Sequence, residues 1–488
     1  MSKLKKIIVT LCLVAVAVIA IIYVNQTRAK EHTFVILSTN DMHAQLTPMP
    51  ALASAIAQCR DTVDVILVDA GDRWTGNAFV DRIEHYTPTY ELCNLLAYDV
   101  AIYGNHEFDK GQAYVAVANR QAKFPVIGAN IKSDTTSFPQ PAPFVIKEVG
   151  GKKIAFVGVV GNYEGNYHPS GKTESYAGLT FTDPHQAAAE YGYLAEECDM
   201  LILVSHSGLE RDEEFAQSPL SEGFDQIISA HSHDVASKVV NGKLVTQTGS
   251  RLKNIGATTV TISADGEVTL SYRNVPLADY APDATVAKMV EGYFNNAELN
   301  APIGKAASDF TEIGLINLFA ENIRARTSAN IGLYHSGGVR LEELAAGEIS
   351  AATVLNVEPF SSLIATATMN TAQLKSLIMT KFNDTRNVGE AHCIDIVTTT
   401  PYTVVTGDDG DAVDVLFPEL DDKKSYKVAM GDYIFKTYGG LSYTSGSISE
   451  TLITTSLEDY ISSHEAIEPD NTERQTIVTQ EQLAEISK

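Results

Sequence analysis

Short apolar runs that stop at a polar residue recur through the first half of the chain. The runs cover residues 34–37, 65–68, 100–103, 201–204 and 227–228, and an aspartate, asparagine or histidine follows each one closely. Runs this short and this apolar are typical of strands buried on both faces of a sheet. The pattern therefore predicts an α/β domain with polar residues gathered at the carboxyl ends of its strands.

Helical patterns separate several of these runs, as at residues 50–59 and 87–97. Alternation over 257–270, interrupted by a turn, predicts closing β-structure, and apolar side chains at helical spacing over 279–300 predict a connecting helix. A second α/β region follows it. The predicted organisation is an N-terminal segment over 1–30, a first domain over 31–277, a linker helix over 278–304 and a second domain over 305–488.

The N-terminal segment has the pattern of an export signal. Lys3, Lys5 and Lys6 precede residues 7–24, which carry no charge. The length of this apolar run lies between that of a secretory signal and that of a short spanning helix. A cleaved signal peptide and a retained membrane anchor both fit it. Either one predicts an exported chain, periplasmic or at the cell surface, and secreted or attached to the membrane through 7–24.

Charge narrows the classes of partner. The 488-residue chain has a formal net charge of −25, so phosphate repulsion argues against nucleic-acid polymers and anionic membrane surfaces. One small anionic ligand stays compatible with this charge, because bound cations can dominate the field inside a cleft. Cys59, Cys93, Cys198 and Cys393 are widely spaced and are expected to be buried free thiols, not a disulfide framework.

The polar residues at the predicted strand ends suit a dinuclear metal site. They are Asp41, His43, Asp72, Asn105, His206, His231 and His233. Two neighbouring divalent cations need about this many protein ligands, with one carboxylate, here Asp72, shared between them. Each short motif alone is common in ordinary loops, but together they predict one crevice. The histidine and carboxylate mixture favours Mn, Zn or Fe(II), with Mg as a further candidate.

The order of these motifs resembles a known family. Asp-x-His, Gly-Asp, Gly-Asn-His-Glu, a lone histidine and His-x-His follow one another as in the calcineurin-like metallophosphoesterases. Residues 104–109, followed by a separate C-terminal region, are similar to the 5′-nucleotidase and 2′,3′-cyclic phosphodiesterase family, from residue 33 to about 480. The resemblance implies a β-sandwich flanked by helices, then a second α/β (α+β) substrate-binding domain.

The resemblance also implies how the ligands are shared: Asp41, His43 and His233 on the first metal, Asn105, His206 and His231 on the second, and Asp72 on both. It places His106 beside the phosphoryl group, held by Asp109 and not bound to metal. A charged imidazole there would stabilise the charge that develops on the phosphate oxygens. The metals would lower the pKa of a bound water and supply hydroxide for attack.

In the second domain, the resemblance implies substrate contacts. Gly337, Gly338 and Arg340 match its Gly-Gly-x-Arg segment, whose backbone N–H groups and guanidinium can bind a phosphate. Phe360 and Tyr433 occupy the positions of two aromatic residues that stack on a nucleobase. As ordinary core aromatics, they would have no such role.

Three positions depart from the family pattern. His335 replaces an asparagine, Asp309 stands where an arginine is usual, and Leu441 replaces an aspartate that binds the ribose hydroxyls. Leucine accepts no hydrogen bond, so selectivity for ribose is expected to be weak or the substrate to be another one.

The sequence thus predicts hydrolysis of small phosphate esters. Nucleoside 5′-monophosphates or 2′,3′-cyclic nucleotides are the first expectation, and a sugar phosphate is the alternative. A phosphate-binding protein without catalysis is a further alternative, but binding alone would not require His106 and Asp109.

Overall fold

The computed structural model describes residues 31–133, 137–162, 168–383, 392–437 and 445–486. The N-terminal segment and Leu441 lie outside these ranges, so the expectations about them stay predictions. Within the described ranges we find no helix with both the length and the hydropathy needed to cross a bilayer.

The first half of the chain is built around two six-stranded sheets. The first sheet has the order Val268–Pro276, Asn254–Ile262, His32–Thr39, Val65–Asp69, Val100–Ile102 and Val126–Ile127. The second has the order Val235–Val240, Lys243–Thr248, Gln226–Ile228, Met200–His206, Lys152–Val160 and Phe144–Val149. A separate pair joins Ile131–Lys132 to Thr180–Phe181.

The two sheets pack face to face. Phe34 and Ile36 of the first sheet share one fully buried cluster with Phe156, Ile202 and Val204 of the second. Their strands are buried on both faces because helices cover the outer sides, as the apolar runs indicate. The predicted β-sandwich flanked by helices is confirmed.

Helices cover both outer faces of the sandwich. They are Met49–Arg60, Ala78–Asp81, Thr87–Leu95, Gln112–Ala118, Pro184–Ala189 and Leu209–Gln217. Pro50 and Pro88 lie in the first turns of two of them, where the missing N–H group and the fixed φ of proline cost little. Leu52 packs into the core beside the first sheet and Phe215 into the core beside the second.

The connecting helix is shorter than predicted. It spans Ala284–Phe294, and the Asp283 side chain caps it by accepting the backbone N–H groups of Thr285 and Val286. Val286 and Val290 are buried in the first-domain core. The helix therefore packs against the first sandwich and ends before the second region begins.

The second half is an α+β arrangement, as expected. Its five-stranded sheet has the order Ile396–Thr398, Ile331–His335, Ser425–Gly431, Leu363–Asn370 and Ser445–Leu452. Its smaller sheets contain Ala412–Leu416, Tyr402–Thr406 and Gln475–Thr479, then Pro302–Ala306 with Gly347–Ser350, and Phe310–Thr311 with Glu343–Leu344. Its helices are Glu312–Thr327, Ala351–Val357, Thr371–Phe382, Asp432–Thr437, Ile453–Ser462 and Gln480–Ile486.

The two halves are in contact. Ala78 and Phe79 of the first half form a small apolar cluster with Ala352 and Leu355 of the second. Asn356 accepts the backbone N–H of Ala78 at 2.6 Å. These contacts hold loops of the second half beside the strand ends of the first.

The expectation for the cysteines is partly wrong. No disulfide joins the cysteines in the described part of the chain, as predicted. Only Cys93 is buried, however, whereas Cys59, Cys198 and Cys393 are half-buried. Cys59 lies near the end of a surface helix and Cys198 in the turn before a strand, where packing covers one side of each residue.

Candidate active site

Both sheets bring their carboxyl ends to one edge. Asp41 and His43 follow strand His32–Thr39, and Asp72 follows Val65–Asp69. The other four predicted ligands come from strands of both sheets: Asn105 follows Val100–Ile102, His206 ends Met200–His206, and His231 and His233 follow Gln226–Ile228. Residues from opposite ends of the sequence of the first domain therefore face the same crevice.

The backbone at most of these ligands is in the left-handed region. Asp41, His43, Asp72, His231 and His233 have φ values of 48°, 47°, 55°, 80° and 59°. Each such residue costs about 1–3 kcal/mol relative to an ordinary conformation, and such costs concentrate at functional sites. The turns give up stability to direct these side chains toward one another.

Asp41, His43 and His233 form a first group of donor atoms. Their atoms lie within 4.8 Å of one another. The two Nε2 atoms of His43 and His233 are 3.0 Å apart, and His233 Nε2 is 3.5 Å from Asp41 Oδ1. Donors on one tetrahedral cation lie about 3.3 Å apart, given metal–nitrogen distances of about 2.0–2.1 Å. The group has the spacing that a single cation requires.

Asp72, His206 and His231 form a second group. Their donor atoms also lie within 4.8 Å of one another, and His206 Nε2 is 3.1 Å from Asp72 Oδ2. Asn105 lines the same cavity, and its side-chain oxygen is buried without a hydrogen-bond partner. A buried oxygen of this kind requires an explanation, and a divalent cation supplies one. The residues present thus fit two cations.

Backbone carbonyl groups orient an imidazole ring in each of the two groups. His43 Nδ1 lies 3.1 Å from the carbonyl oxygen of Thr75, and His206 Nδ1 lies 2.7 Å from that of Ala70. When Nδ1–H donates to a carbonyl, Nε2 faces the site with its lone pair. Burial, and next the charge of His206, lower the pKa of His231 to about 3, which keeps its imidazole neutral.

The Asp72 carboxylate, predicted to be shared between the two metals, is buried but stays ionised. Burial alone would raise the pKa of Asp72. The imidazoles of His206 and His106 outweigh burial and hold that pKa well below its ordinary value. An ionised carboxylate between the two groups is the form that can bridge a pair of cations.

A buried network that the sequence did not reveal fixes the turns around Asp72. The Glu107 carboxylate accepts the backbone N–H groups of Asp72 at 2.9 Å, Arg73 at 2.9 Å and Gly104 at 2.6 Å. The Arg73 guanidinium donates to Asp69 at 2.7 Å. Glu107 therefore ties the turn that carries Asp72 to the turn that carries Asn105. The sequence signal was present in Gly-Asn-His-Glu, but the role depends on main-chain contacts.

His106 and Asp109 form the predicted pair. His106 Nδ1 lies 2.8 Å from Asp109 Oδ2, and the His106 backbone N–H donates to Asp72 Oδ1 at 2.8 Å. Burial lowers the pKa of His106, but the carboxylates of Asp109 and Asp72 outweigh burial and raise it above its ordinary value. Distance alone also groups His106 with His43 and Asp72. The position fits a charged donor beside the metal groups.

The second half contributes Arg340 and Phe360 to the same cavity. Arg340 Nη2 lies 3.1 Å from His43 Nε2, and its guanidinium lies 5.6 Å from the ring centre of Phe360. The Phe360 ring stacks on His106, with centroids 5.6 Å apart and planes 26° apart. Arg340 is therefore placed to bind an anion at the first group, and Phe360 lies beside the reacting end of the cavity.

The other residues predicted to contact the substrate differ in whether they line the cavity. Gly337 and Tyr433 line the cavity, whereas Gly338 does not. A side chain at Gly338 would meet the Tyr334 ring at 2.8 Å, so close packing explains this glycine. The Tyr433 ring lies 5.3 Å from that of His335.

Two of the family departures are described. His335 lines the cavity, and burial lowers its pKa to about 4. Asp309 is exposed outside the cavity, where its carboxylate accepts the Ala346 N–H at 2.7 Å. Lys381 and Asp395 also line the cavity, and sequence reasoning missed both.

Comparison with known proteins agrees with this geometry. Residues 34–235 match the calcineurin-like phosphoesterase model, and residues 292–445 match the 5′-nucleotidase C-terminal domain model. Among curated relatives, the endonuclease YhcR of Bacillus subtilis is 26% identical over 72% of this chain and 33% of its own length. The trifunctional nucleotide phosphoesterase protein YfkN of the same organism is 27% identical over 73% of this chain and 28% of its own length.

The chain thus spans about a third of the length of these two relatives. Among solved structures, the 5′-nucleotidase precursor from Thermus thermophilus has a TM-score of 0.79 at 19% identity, over 91% of this chain and 99% of that one. That likeness shows a shared fold across both halves. The chain thus combines a calcineurin-like phosphoesterase region, residues 34–235, with a 5′-nucleotidase C-terminal region, residues 292–445.

Proposed function

We propose that the protein hydrolyses small phosphate esters with the help of two divalent metal ions. Nucleoside 5′-monophosphates and 2′,3′-cyclic nucleotides are the substrates we place first. The observation that carries the proposal is one cavity lined by Asp72, Asn105, His106, His231 and Arg340. Relatives named as nucleotide phosphoesterases support the substrate class.

The donor sets favour Mn, Zn or Fe(II), because imidazole and carboxylate ligands are mixed in both groups. When bound, the cations would activate water at neutral pH and neutralise charge on the phosphate. Seven side chains would hold them: Asp41, His43, Asp72, Asn105, His206, His231 and His233.

The other residues of the cavity have separate roles in the proposal. Arg340 binds the phosphate of the substrate through charge-assisted hydrogen bonds. The protonated ring of His106 donates a hydrogen bond to the phosphate oxygens, on which charge develops during the reaction. Asp109 holds the His106 ring in place. Phe360 and Tyr433 pack against the leaving group. A protein that only bound phosphate compounds would not need the His106–Asp109 pair.

We also infer that the enzyme acts outside the cytoplasm. Lys3, Lys5, Lys6 and the uncharged residues 7–24 support this, since they have the pattern of an export signal. Fractionation of cells that express the full chain should place it in the periplasm or at the surface. Recovery in the cytoplasm alone would contradict the inference.

Phosphate release from a panel of esters tests the reaction. The panel contains nucleoside 5′-monophosphates, 2′,3′-cyclic nucleotides, sugar phosphates and phenyl phosphate, each with Mn, Zn or Mg. Release that needs a divalent ion supports the proposal, and preference for sugar phosphates would shift the substrate class. The absence of release from every ester with every metal would overturn it.

The His106→Gln variant tests the mechanism separately from metal binding. Because His106 stabilises charge in the transition state, kcat should fall by about 100- to 1000-fold. The metal content should stay at the wild-type level. His464→Gln is the matched control, since His464 is exposed in the second half. Unchanged kcat in His106→Gln would remove the role given to the pair.

A further inference from the structure

The cavity wall formed by the second half contains an ion pair that the proposed reaction does not use. Lys381 Nζ lies 3.0 Å from Asp395 Oδ2, and their side chains are 4% and 2% exposed. Lys381 comes from helix Thr371–Phe382, and Asp395 directly precedes strand Ile396–Thr398. Both residues line the cavity, so the pair lies within reach of a bound ligand.

Neighbouring groups fix the pair in the charged state. The Ser336 hydroxyl donates to Asp395 Oδ1, and the Ser336 backbone N–H donates to the Asp395 carbonyl at 2.9 Å. Burial raises the pKa of Asp395, but the charge of Lys381 outweighs it and brings that pKa below its ordinary value. A well-defined carboxylate therefore sits beside a well-defined ammonium group.

Stability does not account for a charged pair in this position. Removing two ions from water is energetically costly, and an apolar pair of the same volume is often as stable or more stable. In several proteins a buried polar or ionic group contributes specificity instead of stability. Here the pair lines a cavity that binds a ligand, so the specificity in question is that for the ligand.

The balance of charge distinguishes this wall from the metal end. The other lysine that lines the cavity, Lys172, lies 3.3 Å from Asp432 Oδ2. Each cavity lysine is thus matched by a carboxylate. His335 is neutral at physiological pH, because burial lowers its pKa to about 4. Arg340 lies beside the metal groups, 3.1 Å from His43 Nε2, where the phosphate binds in the proposed reaction.

We propose that Lys381 and Asp395 are specificity-determining residues that select esters with a neutral, polar leaving group. This inference rests on the proposed phosphatase function. The ammonium group donates to an acceptor on the leaving group, and the carboxylate accepts from a neighbouring N–H or O–H group. An amino-bearing base edge and the vicinal hydroxyls of a sugar both present this arrangement. A second phosphate or a carboxylate on the leaving group meets no net positive charge and is disfavoured.

The wild-type enzyme gives the first test. We compare kcat/KM for a nucleoside 5′-monophosphate, a sugar monophosphate, a nucleoside 3′,5′-bisphosphate and phenyl phosphate. The two monophosphates with polar leaving groups distinguish a base edge from a sugar diol. For each of these two monophosphates, kcat/KM should exceed kcat/KM for the bisphosphate by about tenfold or more, because an unmatched charge in a buried site is unfavourable. Equal kcat/KM for the bisphosphate would overturn the inference.

Variants of the pair give the second test. Lys381→Met and Asp395→Asn should each lower kcat/KM for the preferred monophosphate by about 10- to 100-fold, because a buried hydrogen-bonding group loses its partner. Phenyl phosphate offers no polar group to this wall, so its kcat/KM should change by less than about threefold. If both esters lose activity equally, the pair is structural and the inference is wrong.

The double variant Lys381→Met/Asp395→Leu covers the case in which a single variant does not fold, because it leaves no charge unmatched. It should hydrolyse phenyl phosphate and lose the preference for the polar leaving group. Retained preference would overturn the inference. Lys375→Met is the matched control, since Lys375 lies on the same helix and pairs with Asp414 at 3.1 Å outside the cavity. A wild-type enzyme inactive on phenyl phosphate and every other ester would instead overturn the proposed function, and this inference with it.

Discussion

The strand-end cluster of the first half and the interior of the second half both bury carboxyl groups, and the examples Asp72 and Glu358 show opposite results. Asp72 and Glu358 are both almost completely buried. Imidazoles surround Asp72 and hold its pKa well below the ordinary value, whereas burial raises the pKa of Glu358 to about 7. Burial disfavours the ionised form of both carboxyl groups, and the charges of neighbouring side chains determine whether each group stays ionised. The first region is therefore built to stay charged for cations, and the second keeps charge only where a partner matches it.

The largest expected effect comes from the strand-end cluster. His231→Ala removes a neutral imidazole from the second group, so the protein should lose one metal equivalent and its phosphatase activity should fall below detection. Metal analysis after reconstitution, together with phosphate release, measures both. His464→Ala should change neither quantity. Full activity with two metals in His231→Ala would show that this region does not carry the chemistry.

Glu107→Gln tests whether the cluster depends on its supporting network. An amide cannot accept three backbone N–H groups as the carboxylate does, so the turns of Asp72 and Asn105 should loosen. Metal affinity should fall by about 10- to 100-fold, the usual effect of losing a group that orients ligands. Titration of activity against metal concentration measures this. Excess metal should restore most of the activity, and a loss that metal does not restore would contradict this explanation.

Arg340→Ala tests the second half of the molecule, whose Arg340 side chain lies beside the first group of donor atoms. Charge-assisted hydrogen bonds contribute about 1.5–3 kcal/mol, so KM for a phosphorylated substrate should rise by about 10- to 100-fold. Metal content should not change, because Arg340 is not one of the proposed ligands. Arg326→Ala, a surface arginine of the same half, is the control. An unchanged KM would leave the second half without a role at the phosphate.

The smallest expected effect concerns Glu358 and is visible only in how the free energy of unfolding depends on pH. The pKa of Glu358 is about 7 in the folded protein and has an ordinary value of 4.5. A raised carboxyl pKa means that stability falls as the pH rises from about 4.5 to 7 and stays reduced above that range. Glu358→Gln removes this cost and still accepts the Ser362 hydroxyl, which bonds Glu358 at 2.6 Å.

The gain in unfolding free energy should approach about 3 kcal/mol at pH 8 and vanish near pH 4.5. Thermal or chemical unfolding at the two pH values measures the difference. Glu343→Gln, an exposed carboxyl in the same half, should show no such difference. A gain that is the same at both pH values would mean that desolvation of the charge is not its cause.

The two regions also differ in what sequence reasoning recovers. The ligands of the strand-end cluster follow apolar runs, and parallel strands necessarily bring their carboxyl ends together, so the crevice could be predicted from residues such as Asp72 and His206. Lys381 carries no such signal. On the sequence it is an ordinary lysine near the end of a helix, and its burial arises only when that helix packs against the strand that follows Asp395.

Other misses have equally physical causes. Glu107 acts through main-chain N–H groups, whose directions depend on turns with positive φ that the residue types do not reveal. At Gly338, which matches a phosphate-binding motif, the close approach of Tyr334 also requires glycine, and the residue types do not reveal this packing. The connecting helix is shorter than predicted because the Asp283 cap sets its start and the chain leaves the helix at Asn295, and residue spacing alone fixes neither end.

Arg340 reaches His43 across the boundary between the two halves, at 3.1 Å. In the proposed function, anion binding and water activation therefore fall to different halves of one polypeptide. Any hinge motion that parts the layers by a few ångströms would disconnect the two tasks, and closing them would reconnect both at once. Under the proposed function, turnover would depend on the alignment of the two halves as well as on the chemical step.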